Sequence, residues 1–244
     1  MNNENWSFAI TYGSGVIFLP EVLNSIRKLC IPKYEILLIG DTSSIESLTG
    51  DDIVKIDFDE SLKPGWITRK KNILVQNAKY DNIVLQHEYF SYDKNWYKWF
   101  LKFHSDWNVC MTRLELPTNT YFGLRYRDWV VRRIIPSILP DTPLPSWVDY
   151  KDHSQLDDMY VSGGYWCAKR KFMMENPLNE NLCWGEGEDV EWSERIRVDN
   201  RWKYCCNWRS KNLLLKLKDP ICKGNPDPSK NWYDDWKRNE SNFI

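Results

Sequence analysis

Apolar positions in the first hundred residues follow two alternating spacings. WSFAITY (6–12), YEILLIG (34–40), DIVKIDF (52–58) and DNIVLQHEYF (81–90) are short apolar runs rich in β-branched and aromatic residues, which reads as strand. Between them, PEVLNSIRKLC (20–30) and GWITRKKNILVQNAKY (65–80) carry apolar residues three and four apart, which predicts helices. Strands and helices alternating in this way predict an α/β domain with a parallel sheet covered on both faces.

The second half is less regular. A helix is predicted over DKNWYKWFLKFH (93–104), then strands over NVCMTRLEL (108–116), MYVSGGYWCAKRKF (159–172) and NLLLKLKDP (212–220). Closely spaced prolines in IIPSILPDTPLPSW (134–147) disfavour both helix and sheet, which predicts a surface loop. Nothing in the length of 244 residues requires a second domain.

Open α/β sheets bind ligands beyond the carboxyl ends of their strands. The residues expected there are Thr11, Tyr12 and Gly13, then Gly40 and Asp41, Asp57, and His87, Glu88 and Tyr89. Each alone suits an ordinary turn. Four polar strand ends together point to a site.

Composition narrows the classes of function. The 33 basic and 34 acidic side chains leave a net charge of −1, so no bulk attraction to nucleic acid or anionic lipid is expected. No apolar run approaches the roughly 20 residues that cross a bilayer, and the seven cysteines are odd in number with no CxxC spacing. The expectation is a chain of a reducing cytoplasm, without disulfide framework, zinc site or transmembrane segment. Aromatic residues are abundant, with 14 Trp, 13 Tyr and 9 Phe; Trp serves core packing, sugar faces and nucleobases alike.

Charge is concentrated locally. No Lys or Arg lies between Glu175 and Glu194, while Glu186, Glu188, Asp189 and Glu191 crowd the stretch WGEGEDVEWSER (184–195). A solvated helix face supported by a Glu191–Arg195 pair is one explanation. However, Gly185 and Gly187 permit a sharp bend that places Glu188 and Asp189 in the first turn of a helix. Crowding raises the proton affinity of at least one carboxylate, which suits a general base.

SGG (162–164), followed about twenty residues later by WGEGEDVEWSER, resembles the acceptor-side module of GT-A glycosyltransferases, where a Gly pair precedes a WGxED or WGGExxExSxR pattern. Family 2 enzymes, β-1,4-galactosyltransferases and polypeptide N-acetylgalactosaminyltransferases share that module; this chain carries one extra residue, Glu186, within it. The resemblance covers roughly residues 6–218. It implies a GT-A (nucleotide-diphospho-sugar transferase) fold, with a mixed, mostly parallel sheet flanked by helices, in a single domain over 1–220. Residues 6–106 would form the nucleotide-sugar half and 107–220 the acceptor half, with 221–244 as a polar tail.

The resemblance also implies roles. Asp189 would take the proton from the acceptor hydroxyl and Glu188 would bind an acceptor hydroxyl. Trp184, Gly163 and Gly164 would line the acceptor side. Thr11, Tyr12, Gly13, Asp41, Asp57, Lys71, His87, Glu88, Tyr89 and Lys216 would face the nucleotide sugar, with UDP the favoured nucleotide. Partners would be that donor and a glycan or glycoconjugate acceptor, with no nucleic acid.

Two positions depart from the family. QHEY replaces the DxD-type motif that holds a divalent metal, leaving Glu88 and His87 as the metal-ligand candidates for Mn2+ or Mg2+. The late strand reads LLLKLKD where relatives place a His, so Lys216 or Lys218, with Arg125 or Arg127, is the alternative source of positive charge for a leaving diphosphate. Inverting and retaining transfer both stay open. So does a catalytically silent glycan-binding member of the fold, and, less in keeping with the charge, a Trp-rich binder of single-stranded nucleic acid.

Overall fold

The computed structural model describes residues 4–13, 16–103, 106–115, 131–132, 159–197 and 203–215. The Pro-rich 134–147 segment, Arg125, Arg127, Lys216, Lys218 and the 221–244 tail lie outside them. Strands β1 (Asn5–Thr11), β2 (Lys33–Gly40), β3 (Ile53–Asp57) and β4 (Asn82–His87) pair in parallel in the order β3-β2-β1-β4. β1 and β4 are buried along nearly their whole length, as strands with neighbours on both sides and cover on both faces must be. Helix α1 (Leu19–Arg27) buries Leu19, Val22, Leu23 and Ile26, the single stripe its spacing predicts. Helix α2 (Ile67–Asn77) makes the crossover between β3 and β4.

After β4 the chain leaves the parallel pattern. Strands β5 (Phe90–Tyr92), β6 (Val109–Glu115), β9 (Tyr165–Lys169) and β10 (Tyr204–Leu214) complete an eight-stranded sheet, β3-β2-β1-β4-β9-β6-β10-β5. β9 is antiparallel to β4 and β6, and β5 to β10, so the sheet is mixed. A short ribbon pairs β7 (Val131–Arg132) with β8 (Met159–Tyr160). Helices α3 (Trp96–Leu101), α4 (Arg170–Glu175) and α5 (Glu188–Arg197) complete the elements.

Three strand expectations change. The predicted strand over 81–90 stops at His87, turns through Glu88 and Tyr89, and its remainder becomes β5 on the far side of the sheet. The late strand begins at Tyr204, eight residues before the expected start at 212, and runs to Leu214; residues 216–220 of the expected strand lie outside the described residues. Polar residues that are buried but satisfied hide the part before 212: Asn207 donates to Ser210 Oγ (2.9 Å) and Ser210 to Trp96 O (2.8 Å). A pattern of apolar residues alone does not register such positions. The 159–172 segment divides into β8, a turn, β9 and α4.

Among the described residues the aromatic side chains belong mainly to the core. Trp6, Trp96, Trp107, Trp166 and Trp192 are fully buried, and Trp6 meets Trp96 and Phe100 edge-on at 4.8 Å between centroids, a favoured aromatic geometry. Among the described tryptophans Trp184, at 65 % exposure, is the exposed one, while Trp66, Trp99 and Trp208 are half-buried. Among the described residues no helix is long and apolar enough to cross a membrane.

Candidate active site

The four parallel strands deliver their carboxyl ends to one edge. Tyr12 N–H donates to Ile39 O (3.2 Å) and Phe58 N–H to Gly40 O (3.0 Å), so the exits of β1, β2 and β3 are tied side by side. Gly40 is there because of Tyr12: a Cβ at residue 40 would lie 2.8 Å from the Tyr12 ring and 3.0 Å from its carbonyl oxygen. The Tyr12 hydroxyl is buried and has no hydrogen-bond partner among the described residues. Burial first, then the negative charge of Asp41, Asp57 and Glu60, pushes its pKa up to about 12.

Asp41 and Asp57 flank that ring and also order the loop after β2. Asp41 Oδ1 accepts from Ser43 N (3.0 Å) and Ser43 Oγ (2.6 Å). Asp57 Oδ1 accepts from Thr42 N (3.2 Å) and Thr42 Oγ1 (3.0 Å). Beside Tyr12, a Cβ on Gly13 would meet nothing within 4 Å among the described residues.

At the end of β4, Thr11 Oγ1 lies 3.2 Å from His87 Nδ1. The His87 and Tyr89 rings stack at 5.4 Å, and His87 Nδ1 is 4.0 Å from Glu88 Oε2. Glu88 and Tyr89 are buried, and burial, reinforced by Glu88, raises the Tyr89 phenol far above its ordinary value. The β4–β9 pairing continues past the strand end, where His87 N–H donates to Gly164 O (3.0 Å). That bond brings the glycine pair against His87.

Gly163 and Gly164 are the central residues of a tight turn closed by Tyr165 N–H to Ser162 O (3.1 Å). On this turn sits the acidic corner. Gly163 N–H donates to Asp189 Oδ2 at 2.6 Å, a short charge-assisted bond. A Cβ at residue 163 would lie 2.9 Å from Glu188 Oε1 and 3.0 Å from Asp189 Oδ2, so both carboxylates press against the glycine. Gly185 (φ +82°) and Gly187 (φ +71°) adopt left-handed backbone that delivers Glu188 and Asp189 into the first turn of α5.

The helix is fixed from both ends of this contact. Ser193 Oγ donates to Asp189 O (2.7 Å) and accepts from Val161 N–H (3.1 Å). Trp192 Nε1 donates to Asn176 O (2.7 Å). Ser193 was not singled out from the sequence, although its position four residues after Asp189 is the spacing for such a bond. Tyr160 was missed for another reason: it lies nearly thirty residues away, and burial followed by the Asp189 charge raises its phenol.

The segment before α5 is laced to the start of α2. Trp66 Nε1 donates to Glu180 O (2.6 Å), Thr68 Oγ1 to Leu182 O (2.7 Å) and Trp184 N–H to Gly65 O (2.8 Å). Trp184 therefore stands beside the loop that follows β3, with its ring exposed. Lys71 does not extend into open space. Its side chain is fully buried, with Nζ 2.5 Å from Gly163 O and 4.5 Å from the Trp166 ring centroid.

Thr11, His87, Glu88, Tyr89, Gly163, Gly164, Lys71, Glu188 and Asp189 thus form one chain of contacts at the carboxyl edge. Tyr12, Asp41 and Asp57 join it through the backbone of β1. A groove of about 560 Å³ runs along the opposite, amino edge, lined by residues such as Asn5, Lys79, Asn82, Trp107 and Lys169. None of the sequence-predicted site residues lines it. Among the described residues no three His, Cys, Asp or Glu side chains gather as a metal site.

No family model matches the chain, and no curated protein matches it in sequence. Solved structures do resemble it. S. aureus TarS residues 1–349, crystallised with UDP-GlcNAc, gives a TM-score of 0.54 at 11% identity over 91% of this chain and 61% of that one. GalNAc-T7 with UDP, GalNAc and Mn2+ gives 0.63 at 15% identity over 98% of this chain and 49% of that one. The chain spans about half to three-fifths of the length of these structures. The likeness shows the GT-A fold of glycosyltransferases: a mixed α/β single domain with a curled sheet.

Proposed function

We propose that this protein is an inverting glycosyltransferase that moves a sugar from a nucleoside diphosphate donor, UDP being favoured, to a hydroxyl of a glycan or glycoconjugate. The observation that carries this reading is the 2.6 Å bond from Gly163 N–H to Asp189 Oδ2. It fixes a carboxylate beside the glycine turn that touches His87 at the ligand-binding edge of the sheet. The neighbours that share the fold were solved with UDP, UDP-GlcNAc or UDP and GalNAc, which supports a nucleotide sugar as the donor.

In this reading Tyr12, Gly13, Asp41 and Asp57 receive the nucleoside, in the part of the edge where Gly13 leaves room. Thr11, His87, Glu88 and Tyr89 face the diphosphate and the donor sugar. Asp189 accepts the proton of the attacking acceptor hydroxyl as the new bond forms at the anomeric carbon and the diphosphate departs. Glu188 hydrogen-bonds the acceptor, and the exposed Trp184 ring offers an apolar face to its C–H groups. A single in-line displacement inverts the anomeric centre.

GalNAc-T7 was solved with Mn2+. His87 and Glu88 offer an imidazole and a carboxylate 4.0 Å apart, a pair that would hold a divalent cation once diphosphate oxygens complete its ligands. Such a cation supplies positive charge to the leaving diphosphate. Lys216, beyond the described residues, is the other candidate for that charge.

The test is direct. Calorimetric titration with UDP, with and without Mn2+, should show binding, and one or more UDP-sugars should release UDP in a coupled assay. Failure to bind any nucleoside diphosphate or to turn over any nucleotide sugar overturns the proposal.

A further inference from the structure

We infer that Lys71 is a positioning residue: its ammonium anchors the Gly163 carbonyl and so fixes the N–H of the same residue that orients the Asp189 carboxylate. The inference rests on the reading of Asp189 given above and adds to it a residue from a different part of the fold. A residue with 0% exposure and a cation at its tip requires acceptors around it. Nζ meets Gly163 O at 2.5 Å and lies over the Trp166 ring at 4.5 Å, within the range of a cation–π contact. One of its N–H bonds is therefore directed at the glycine turn.

Geometry makes that commitment consequential. Gly163 has no side chain to hold it, and its own carboxylate contacts leave no space for one. Its two backbone groups point to different elements: the N–H to Asp189 on α5 and the carbonyl to Lys71 on α2. Gly164 next to it is held by His87 N–H and donates its own N–H to Ser162 Oγ (3.3 Å). Releasing the Lys71 contact frees one corner of this turn and takes the Lys71 donor away from the half-buried Gly163 carbonyl. The Asp189 carboxylate, whose Oδ2 is tied to the same residue, then loses its fixed direction. A misplacement of about 1 Å at a reacting group costs up to about a hundredfold in rate.

Two readouts separate this role from general support of the fold. Glycine-selective isotope labelling of the full chain resolves its 11 glycines, and Gly163→Ala identifies the Gly163 amide by its loss. In the wild type this proton resonates downfield, because its acceptor is a carboxylate at short range. Lys71→Met, of similar length and without a donor, should move it upfield. The same variant should lower kcat for UDP-sugar turnover by about ten- to a hundredfold while leaving KM for the donor within about threefold. Lys71→Arg, which keeps charge and donors, should restore kcat. If Lys71→Met does not fold, Lys71→Leu, shorter and likewise without a donor, carries the same expectation.

An unchanged Gly163 resonance with unchanged kcat in Lys71→Met overturns the inference, as does a moved resonance with unchanged kcat. A resonance that moves in a protein with no turnover for any nucleotide sugar refutes the glycosyltransferase reading instead, and leaves the Lys71–Gly163–Asp189 linkage standing.

Discussion

Gly163 and Asp189, twenty-six residues apart in sequence, are joined by a 2.6 Å hydrogen bond from backbone N–H to carboxylate oxygen. The contact is close enough that a methyl group on residue 163 would sit 3.0 Å from that same oxygen and 2.9 Å from Glu188 Oε1. Gly163→Ala is therefore expected to displace both carboxylates and to lower kcat at least about tenfold. UDP affinity, measured by calorimetry, should change little, since the nucleoside end of the edge is built by other strands. Equal kcat in the variant would show that the orientation of these carboxylates does not matter to turnover.

Tyr12→Phe removes a buried hydroxyl that has no partner among the described residues, and should stabilise the fold by about 1 kcal/mol at neutral pH. The phenol's pKa in the folded protein, about 12, lies above its ordinary value of 10.0. Stability tied to it is present below pH 10 and declines as pH rises from 10 towards 12. Denaturant midpoints measured across that range should fall less steeply for Tyr12→Phe than for the wild type. A parallel decline in both proteins would place the hydroxyl in water.

Removal of divalent metal tests the charge at the diphosphate. With His87 and Glu88 as the ligands, EDTA should suppress UDP release, Mn2+ should restore it, and Glu88→Gln should demand a higher Mn2+ concentration for half-maximal rate. A rate indifferent to EDTA that also tolerates Glu88→Gln would transfer the task to a side-chain cation such as Lys216.

Trp184 is 65 % exposed and hydrogen-bonds through its backbone rather than its ring to Gly65. Trp184→Ala is expected to leave thermal stability within about 0.5 kcal/mol of the wild type, as for ordinary surface substitutions. Its effect should fall on KM for the acceptor, with the donor KM unchanged. An unaltered acceptor KM would leave the ring without a role in acceptor binding.

Much of this arrangement is legible from residue order. The apolar runs around β1, β2 and β4 are long enough, and the stripe on α1 regular enough, to give the parallel half of the sheet. The two glycines before Glu188 and Asp189 give the bend and the helix start. Less visible is anything decided by a distant partner. Lys71 in RKKN reads as a cation available to a ligand, yet Trp166 and Gly163, more than ninety residues later, enclose it. The part of β10 before residue 212 reads as polar because its buried Asn207 and Ser210 are satisfied by one another and by the Trp96 carbonyl on α3. Spacing within a segment does not carry that information.

The central claim is that Asp189 removes the acceptor proton, and Asp189→Asn tests it most directly. The amide keeps the size of the side chain and an oxygen for the Gly163 N–H, but has no useful basicity. With a UDP-sugar and acceptor turned over by the wild type, transfer should fall by about a hundred- to ten-thousandfold, while UDP affinity stays within a few fold. Transfer by the variant at a rate close to that of the wild type would contradict the account.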